Sequence, residues 1–354
     1  MNKKYPISVI TPFYEVDLNL FEHTFKSVVD QDFGFENIEF IIVVHNSGKS
    51  YLDGVLKLAE GYENVKVLTL NDEHKTPSSP RNHGIRNSTG DYIVFLDADD
   101  SLYPYALSES YKVITEEKAE MCLFRFDSII GENVIAAHQY SLFDQTNERI
   151  ILYKGQYDQK KLIVGMNMVV HARIIDGNFI RDNNFYFDVD IPYSEDGIYN
   201  EYLIANAEKI VILPQLIGER YYQHDGSVMQ TFKRGKDEII QICESVVKIA
   251  EQGWKFGLYM DSYITTITTM TAIYILCSDV RYPVVKKASE IIKPVLELLK
   301  PLPVTKFDSE QIIKTYNTVI NLTFNHPRLA SFIKWIVRTL GIDLEKVIKG
   351  AVKA

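Results

Sequence analysis

The sequence predicts an α/β protein: a mostly parallel, doubly wound sheet followed by an all-α C-terminal region. Three observations carry this expectation. Up to Asp100, short apolar runs alternate with helix-spaced segments, the rhythm of repeated βα units. Near Thr231–Gly235 the composition shifts, and beyond it nearly every segment has helical spacing. With 46% hydrophobic residues in 354, the chain has enough apolar surface to bury a large core.

The elements follow in order. Ile7–Thr11 is a short β-branched run closed by Pro12, and Leu20–Asp30 repeats apolar residues at helical spacing. Phe40–Val44 is continuously apolar, as expected of a strand covered on both faces. Tyr51–Tyr62 is again helical and Val65–Leu70 is strand-like. Ser79–Ser88 reads as a short helix ended by Gly90, and the strand Tyr92–Leu96 runs straight into Asp97. In such sheets ligands sit beyond the carboxyl ends of the strands. The middle of the chain offers a helix at Pro104–Glu117 and strands near Glu120–Phe126 and Ile210–Leu213. Helices are then expected near Asp237–Glu251, Met260–Cys277, Pro283–Leu299, Ser309–Val319, Pro327–Leu340 and Asp343–Val352. The pattern divides into a ligand-binding domain over residues 1–232 and a helical domain over 233–354.

Charge and cysteine usage exclude several classes. A net charge of −9 argues against nucleic acid as a partner. Cys122, Cys243 and Cys277 are widely spaced, which fits buried thiols in a reducing compartment and not a disulfide framework or zinc site. The N-terminal segment has no hydrophobic signal core, and no apolar run reaches the ~20 residues that span a bilayer. A cytoplasmic protein is the expectation, with peripheral attachment to the inner membrane face left open.

The residues that carry chemistry cluster between Arg81 and Asp100. The strand ending in Phe95-Leu96 meets Asp97, Asp99 and Asp100, three carboxylates within four residues. Their mutual repulsion calls for a cation, and Mn²⁺ or Mg²⁺ bridging to substrate phosphates answers it. An acidic loop capping the helix near Pro104 is the alternative for the triplet alone. Upstream, Arg81-Asn82 lies near a helix N-terminus on the same side of the sheet, where guanidinium and helix end both favour an anion such as a diphosphate. Farther on, Glu195-Asp196 opens a helix, either as ordinary first-turn acids or as a catalytic base.

Five segments together make a pattern: ISVITPFYE (residues 7–15), SVVDQ (27–31), EFIIVVHNSGKS (39–50), PRNHGIRNSTGDYIVFLDADDSLYP (80–104) and YSEDGIYN (193–200). This pattern resembles glycosyltransferase family 2, whose members share the Rossmann-like GT-A fold, and the resemblance covers about residues 5–230. It implies that Asp97-Ala98-Asp99 is the D-x-D element. Asp99 would be the principal metal ligand, with Asp97 facing the ribose or the metal through water. Pro12, Tyr14 and Glu15 would line base and ribose, and Arg81 would reach the diphosphate. Asp196 would be the general base of an inverting transfer from a nucleotide-diphosphate sugar. His224, in a Gly226-Ser227-containing loop, would close over the diphosphate or touch the metal.

Two departures from the family pattern bear on the donor. The second strand ends in His45-Asn46-Ser47-Gly48 where such enzymes have an Asp-Asp-Gly-Ser-like turn, and Glu15 stands in place of the usual Asn. Asn46 can accept a hydrogen bond from a uracil imide through its amide oxygen, so the expected donor is a UDP-sugar of a hexose or N-acetylhexosamine. The implied acceptor is a saccharide or lipid-linked hydroxyl of a surface polysaccharide, glycolipid or wall polymer. Rival readings are an inactive GT-A domain that only binds sugar nucleotides, and a nucleotidyltransferase. The latter would want a Gly-rich phosphate loop that Thr11–Asp17 lacks.

The tail carries six basic residues against two acidic ones between His326 and Ala354. Leu329, Phe332, Ile333, Ile336 and Leu340 fall on one helical face with Trp335 at its edge. Such a helix can lie on an anionic membrane, or pack on other helices or across a homodimer.

Overall fold

The computed structural model describes residues 5–131, 133–135, 146–155, 169–223, 234–255, 261–298 and 318–344. Two compact units emerge. One comprises residues 1–190 and 195–224, the other residues 191–194 and 225–354. The expected boundary at 232/233 falls outside the described residues.

The first unit is built on one sheet. β1 (Ile7–Phe13), β2 (Ile38–His45), β3 (Val65–Leu70) and β4 (Tyr92–Phe95) pair in parallel in the order β3-β2-β1-β4. The crossovers between them are α1 (Leu18–Val29), α2 (Lys49–Ala59) and α3 (Ser78–Asn87). Every residue of β2 is buried, as its unbroken apolar run predicts for a central strand. Asp17 starts α1 by accepting the amide protons of Asn19 (2.8 Å) and Leu20 (3.4 Å) on its carboxylate. Phe21, Thr24, Phe25 and Val28 then form the buried face of that helix.

After β4 come β5 (Ser101–Leu102), α4 (Ala106–Glu117), β6 (Met121–Ile130), β7 (Asn133–Ile135), β8 (Ile150–Tyr153) and β9 (Arg173–Asp176). Two helices, α5 (Gly177–Asp182) and α6 (Glu195–Asn206), precede the long β10 (Lys209–Gln223). The sheet continues β4-β9-β6-β10-β5, with β9 antiparallel to both β4 and β6. It is therefore mixed, though among the described residues most paired positions lie in parallel ladders. Two core layers sandwich it: Phe13, Phe21, Phe25 and Phe40 lie on one face, and Phe95, Phe187, Tyr199 and Leu203 on the other.

Glycine sets one close approach. A Cβ on Gly84 would meet the Ile10 side chain at 2.3 Å, so α3 lies directly against β1. That proximity carries Arg81, one turn earlier, to the carboxyl end of the sheet.

The second unit is helical among its described residues: α7 (Lys236–Lys255), α8 (Asp261–Cys277), α9 (Tyr282–Leu298) and α10 (Pro327–Thr339). The expected helix at Ser309–Val319 and most of that at Asp343–Val352 lie outside the described residues. No described helix is long and apolar enough to cross a membrane. One of the basic residues counted in the tail is not a surface charge. Lys334 is buried, its ammonium donating to the carbonyls of Ile275 (2.6 Å) and Val280 (3.0 Å). Arg338 donates to the Ser278 carbonyl and pairs with Asp279. These cations satisfy carbonyls at and just beyond the end of α8, which otherwise lack partners. Leu329, Phe332 and Leu340 of the expected apolar face are exposed, as is Trp335, and the Phe332 and Trp335 rings stack at 6.0 Å.

Candidate active site

The D-x-D segment leaves β4 in a tight turn at the carboxyl end of the sheet. The Asp100 amide donates to the Asp97 carbonyl (3.2 Å), and the Thr24 hydroxyl on α1 donates to the Ala98 carbonyl (2.9 Å). Asp100 is buried, and its carboxylate accepts the Tyr222 amide proton from β10 at 2.8 Å. Asp97 and Asp99 remain partly open to solvent. The three acids thus divide: Asp100 ties the turn into the sheet, and the other two face outward.

Arg81 is the hub. Its side chain is 2% exposed, and one guanidinium nitrogen donates to Asp97 at 2.8 Å while another donates to Asp196 at 2.6 Å. Glu195 lies 3.7 Å from the same nitrogen that holds Asp196. One buried cation therefore joins the end of β4 to the first turn of α6, and Arg81 reaches Asp196 across 115 residues of sequence. The Phe187 ring lies 5.3 Å from the guanidinium carbon. Arg81 was expected to reach a diphosphate itself; instead it is buried and faces carboxylates, because Asp97, Asp196 and Glu195 surround its tip.

The charges polarise one another. Burial works against the charged form of Asp97, but Arg81 and then His171 outweigh it and hold the carboxyl below its ordinary range. Burial raises Asp196 against the pull of Arg81. Glu195 is pushed up to about 8, first by burial and then by the charge of Asp196. Arg81 grips Asp196 more closely than Glu195, which favours ionisation of Asp196 over that of Glu195. Asp100 is raised well above the ordinary range by burial and by Glu219, Asp99 and Asp97.

That surplus of carboxylates provides the test for a metal ion. Asp97, Glu195, Asp196 and Glu219 lie about two basic side chains, Arg81 and His171, with Asp99 and Asp100 next to them. No group of three or more metal-binding side chains forms a ready cage among the described residues. This is the donor set of an ion that takes one or two carboxylates and completes its shell with water and phosphate. Asp99 and Asp97 fit such an ion.

The expected nucleotide residues gather at the ends of β1 and β2. Pro12 is half-buried in β1, and Tyr14 is exposed at 62%. Glu15 takes a left-handed conformation (φ 46°); its amide donates to the Ser47 hydroxyl (3.2 Å) and its carboxylate accepts the Gly48 amide proton (3.3 Å). Asn46 has a different task from the expected one. Its amide oxygen accepts the Asp72 amide proton (3.0 Å), and its amide nitrogen donates to the carbonyls of Asp72 and His74 (both 3.0 Å). The amide is spent clamping the β3 exit loop to β2, so the base-reading oxygen is turned into the fold. His224 lies outside the described residues, as does Lys233; Arg234 is buried, with its guanidinium carbon 4.8 Å from the Tyr274 ring centroid.

Several contributors escaped the sequence reading. Asp72 gathers His45 (2.9 Å) and the Ser79 hydroxyl (2.5 Å) beside the expected base region. The second group is a buried pair, His171 and Glu219, with Nδ1 and Oε1 2.8 Å apart. Glu219 had one legible signal, a charge inside the apolar run Leu216–Tyr222; His171 stands at no telling spacing.

With this geometry in place, comparison with known proteins becomes informative. The family model described as glycosyl transferase family 2 matches residues 8–177, which run from β1 through the D-x-D turn to the start of α5. Residues 8–177 are a glycosyltransferase family 2 domain. The chain is similar to a poly(ribitol-phosphate) beta-glucosyltransferase of Bacillus spizizenii, 27% identical over 206 residues, which covers 58% of this chain and 30% of that protein. It is similar as well to the poly(ribitol-phosphate) beta-N-acetylglucosaminyltransferase TarS of Staphylococcus aureus, 25% identical over 209 residues, covering 58% and 34% respectively. The chain spans about a third of the length of these relatives. Among solved structures, S. aureus TarS 1-349 in complex with UDP-GlcNAc aligns with TM-score 0.57 at 17% identity, covering 96% of this chain and 93% of that one. That likeness shows the GT-A fold, with its mixed, mainly parallel sheet.

Proposed function

We propose that the family 2 domain moves a hexose or N-acetylhexosamine from a UDP-sugar to a hydroxyl of a cell-wall or surface polymer, with inversion at the anomeric carbon. The observation that carries this reading is the Arg81 bridge: one buried guanidinium sets Asp97, at the donor-phosphate end, beside Asp196, at the position of a base. The relatives named for poly(ribitol-phosphate) as acceptor, and the neighbour bound to UDP-GlcNAc, support the choice of donor and polymer class.

In the reaction Asp196 takes the proton of the acceptor hydroxyl, and that oxygen bonds to the anomeric carbon opposite the diphosphate. The carbon–oxygen bond to UDP breaks and its electron pair stays on the departing phosphate. Burial raises the proton affinity of Asp196 against the pull of Arg81, which also aims the carboxylate, and both suit it to act as a base. Glu195, holding its proton, adds no second negative charge beside it. Asp99 and Asp97 would hold Mn²⁺ or Mg²⁺, which supplies charge stabilisation to the leaving diphosphate when bound. Tyr14 and Glu15 border the nucleoside end.

Two experiments test this. Incubation with radiolabelled UDP-glucose and UDP-N-acetylglucosamine should give slow, metal-dependent release of UDP that EDTA abolishes. Asp99→Ala should remove the Mn²⁺ dependence of UDP binding, measured by thermal shift without any turnover. Unchanged, metal-dependent UDP binding in Asp99→Ala would make the metal assignment wrong.

A further inference from the structure

With the Asn46 amide spent on the β3 exit loop, the base of the donor must be read by another group, and the loop itself carries one. β3 lies beside β2 with Leu70 opposite His45, and Asp72 follows two residues later. On the other side of β2 the β1 exit is joined to the β2 turn, where the Glu15 carboxylate accepts the Gly48 amide proton. Tyr14 and Glu15, at that exit, border the nucleoside end of the proposed donor site.

Asp72 is fixed along its backbone and at its tip. Its amide donates to Asn46 Oδ1 and its carbonyl accepts from Asn46 Nδ2, both at 3.0 Å. Its Oδ1 accepts from His45 Nε2 (2.9 Å) and from the His74 amide (3.0 Å). Its Oδ2 accepts from the Ser79 hydroxyl (2.5 Å) and, among the described residues, from nothing else. Each carboxylate oxygen offers two lone pairs, so Oδ1 is saturated and Oδ2 keeps one acceptor position. Burial works against the charge of Asp72, yet the Ser79 hydroxyl, His45 and the His74 amide outweigh it and hold the carboxyl below its ordinary range. The side chain is 20% exposed against 4% for His45, so Asp72 is the member of the pair that a ligand can touch. Three hydrogen bonds from Asn46 already tie the loop to β2, and loop closure alone does not call for a half-buried anion in addition.

We infer that Asp72 is the specificity-determining residue for the donor base: its Oδ2 accepts the imide N3–H of uracil, and His45, Ser79 and the His74 amide hold the carboxylate in place to do so. Cytosine has a bare N3 and would set a lone pair against the carboxylate. The inference rests on the donor being a UDP-sugar.

Thermal-shift titration with free nucleotides in Mn²⁺ tests it without any turnover. The wild-type protein should bind UDP at least about tenfold more tightly than CDP or the N3-methyluridine analogue of UDP, the scale of one hydrogen bond to a charged group. In Asp72→Asn, His45 and the His74 amide keep the amide oxygen at the Oδ1 position, so the new NH₂ falls at Oδ2. There it donates to cytosine N3, and the preference for UDP over CDP should shrink to within about threefold or reverse. Equal wild-type affinity for UDP and its N3-methyl analogue would overturn the inference, and that comparison needs no variant if Asp72→Asn does not fold. A folded Asp72→Asn that keeps the full preference for UDP would overturn it as well. Neither result touches the UDP-sugar reading, which stands on UDP release from the sugar donors. Stabilisation by GDP or ADP and none by UDP would remove that reading and the inference with it.

Discussion

Arg81 concentrates the electrostatics of the site in a single side chain. Desolvation opposes its charge, yet Asp196, Asp97 and Glu195 raise its proton affinity further still. Removing it leaves three carboxylates facing each other without a cation, the costly way to break a buried pair. Arg81→Gln should therefore destabilise the protein by about 3–5 kcal/mol at neutral pH, seen as a lower urea midpoint. The pH dependence has a definite sign. Asp97 is held below its ordinary value by Arg81, so its contribution exists above the unfolded-state pKa and disappears as pH falls through the folded one. The gap between Arg81→Gln and wild type should narrow on acidification, and a gap that widened would contradict the bridge. Turnover should respond in kind. The base must be ionised, and Asp196 is raised, so log kcat should fall on acidification with an apparent pKa above the ordinary aspartate value of about 4, shared with Glu195. At this scale the sequence disclosed the identities Asp97, Asp99, Arg81 and Asp196, but not their pairing. A guanidinium beside a helix start reads as anion-binding in general. Only the fold shows that carboxylates of the same chain occupy it.

Helix α6 shows how an element serves two ends. Its first turn carries Glu195 and Asp196, and the Asn200 side chain one turn on donates to the Val169 carbonyl. Glu201 is 1% exposed, one of its oxygens has no hydrogen-bond partner, and burial pushes its carboxyl up to about 8. Below its ordinary value of 4.5, both folded and unfolded chains keep this proton. As pH rises toward about 8, the unfolded chain releases it first, so one such group lowers stability by about 1.4 kcal/mol per pH unit. Glu201→Gln removes that decline. Its melting temperature relative to wild type should climb steadily between about pH 5 and pH 8, and a pH-independent difference would show that the carboxyl titrates normally. Elements with a clean period were legible in the sequence: β1 to β4 and α1 to α4 lie where the apolar spacing puts them. β10 was not. Periodicity marked only Ile210–Leu213, yet the strand runs to Gln223, because irregularities between Leu213 and Glu219 absorb Pro214, Gln215 and Gly218 without ending the pairing with β6. β9 was hidden for another reason. Four residues are too short to show a period, and this strand pairs antiparallel with both β4 and β6.

For the whole molecule, the fold was legible because two independent regularities, the βα rhythm and the helical composition beyond Gly235, each persist long enough to outweigh local exceptions. In the tail one basic residue is not where charge counting puts it. Counting charges assigns every lysine to solvent, whereas Lys334 is buried and donates to the carbonyls of Ile275 and Val280 around the end of α8. The net charge of −9 and the acids gathered around Arg81 and His171 suit a site that works with a divalent cation and an anionic donor bound together, each offsetting the other. The central claim is that this site uses Asp196 to deprotonate an acceptor, and Asp196→Asn tests it most directly, because the amide keeps the shape and removes the base. UDP binding in Mn²⁺ and the rate of UDP release should be measured on the same preparation. The account predicts binding close to wild type with release slowed by about a hundredfold or more, the scale of a lost general base. Release at the wild-type rate would contradict it.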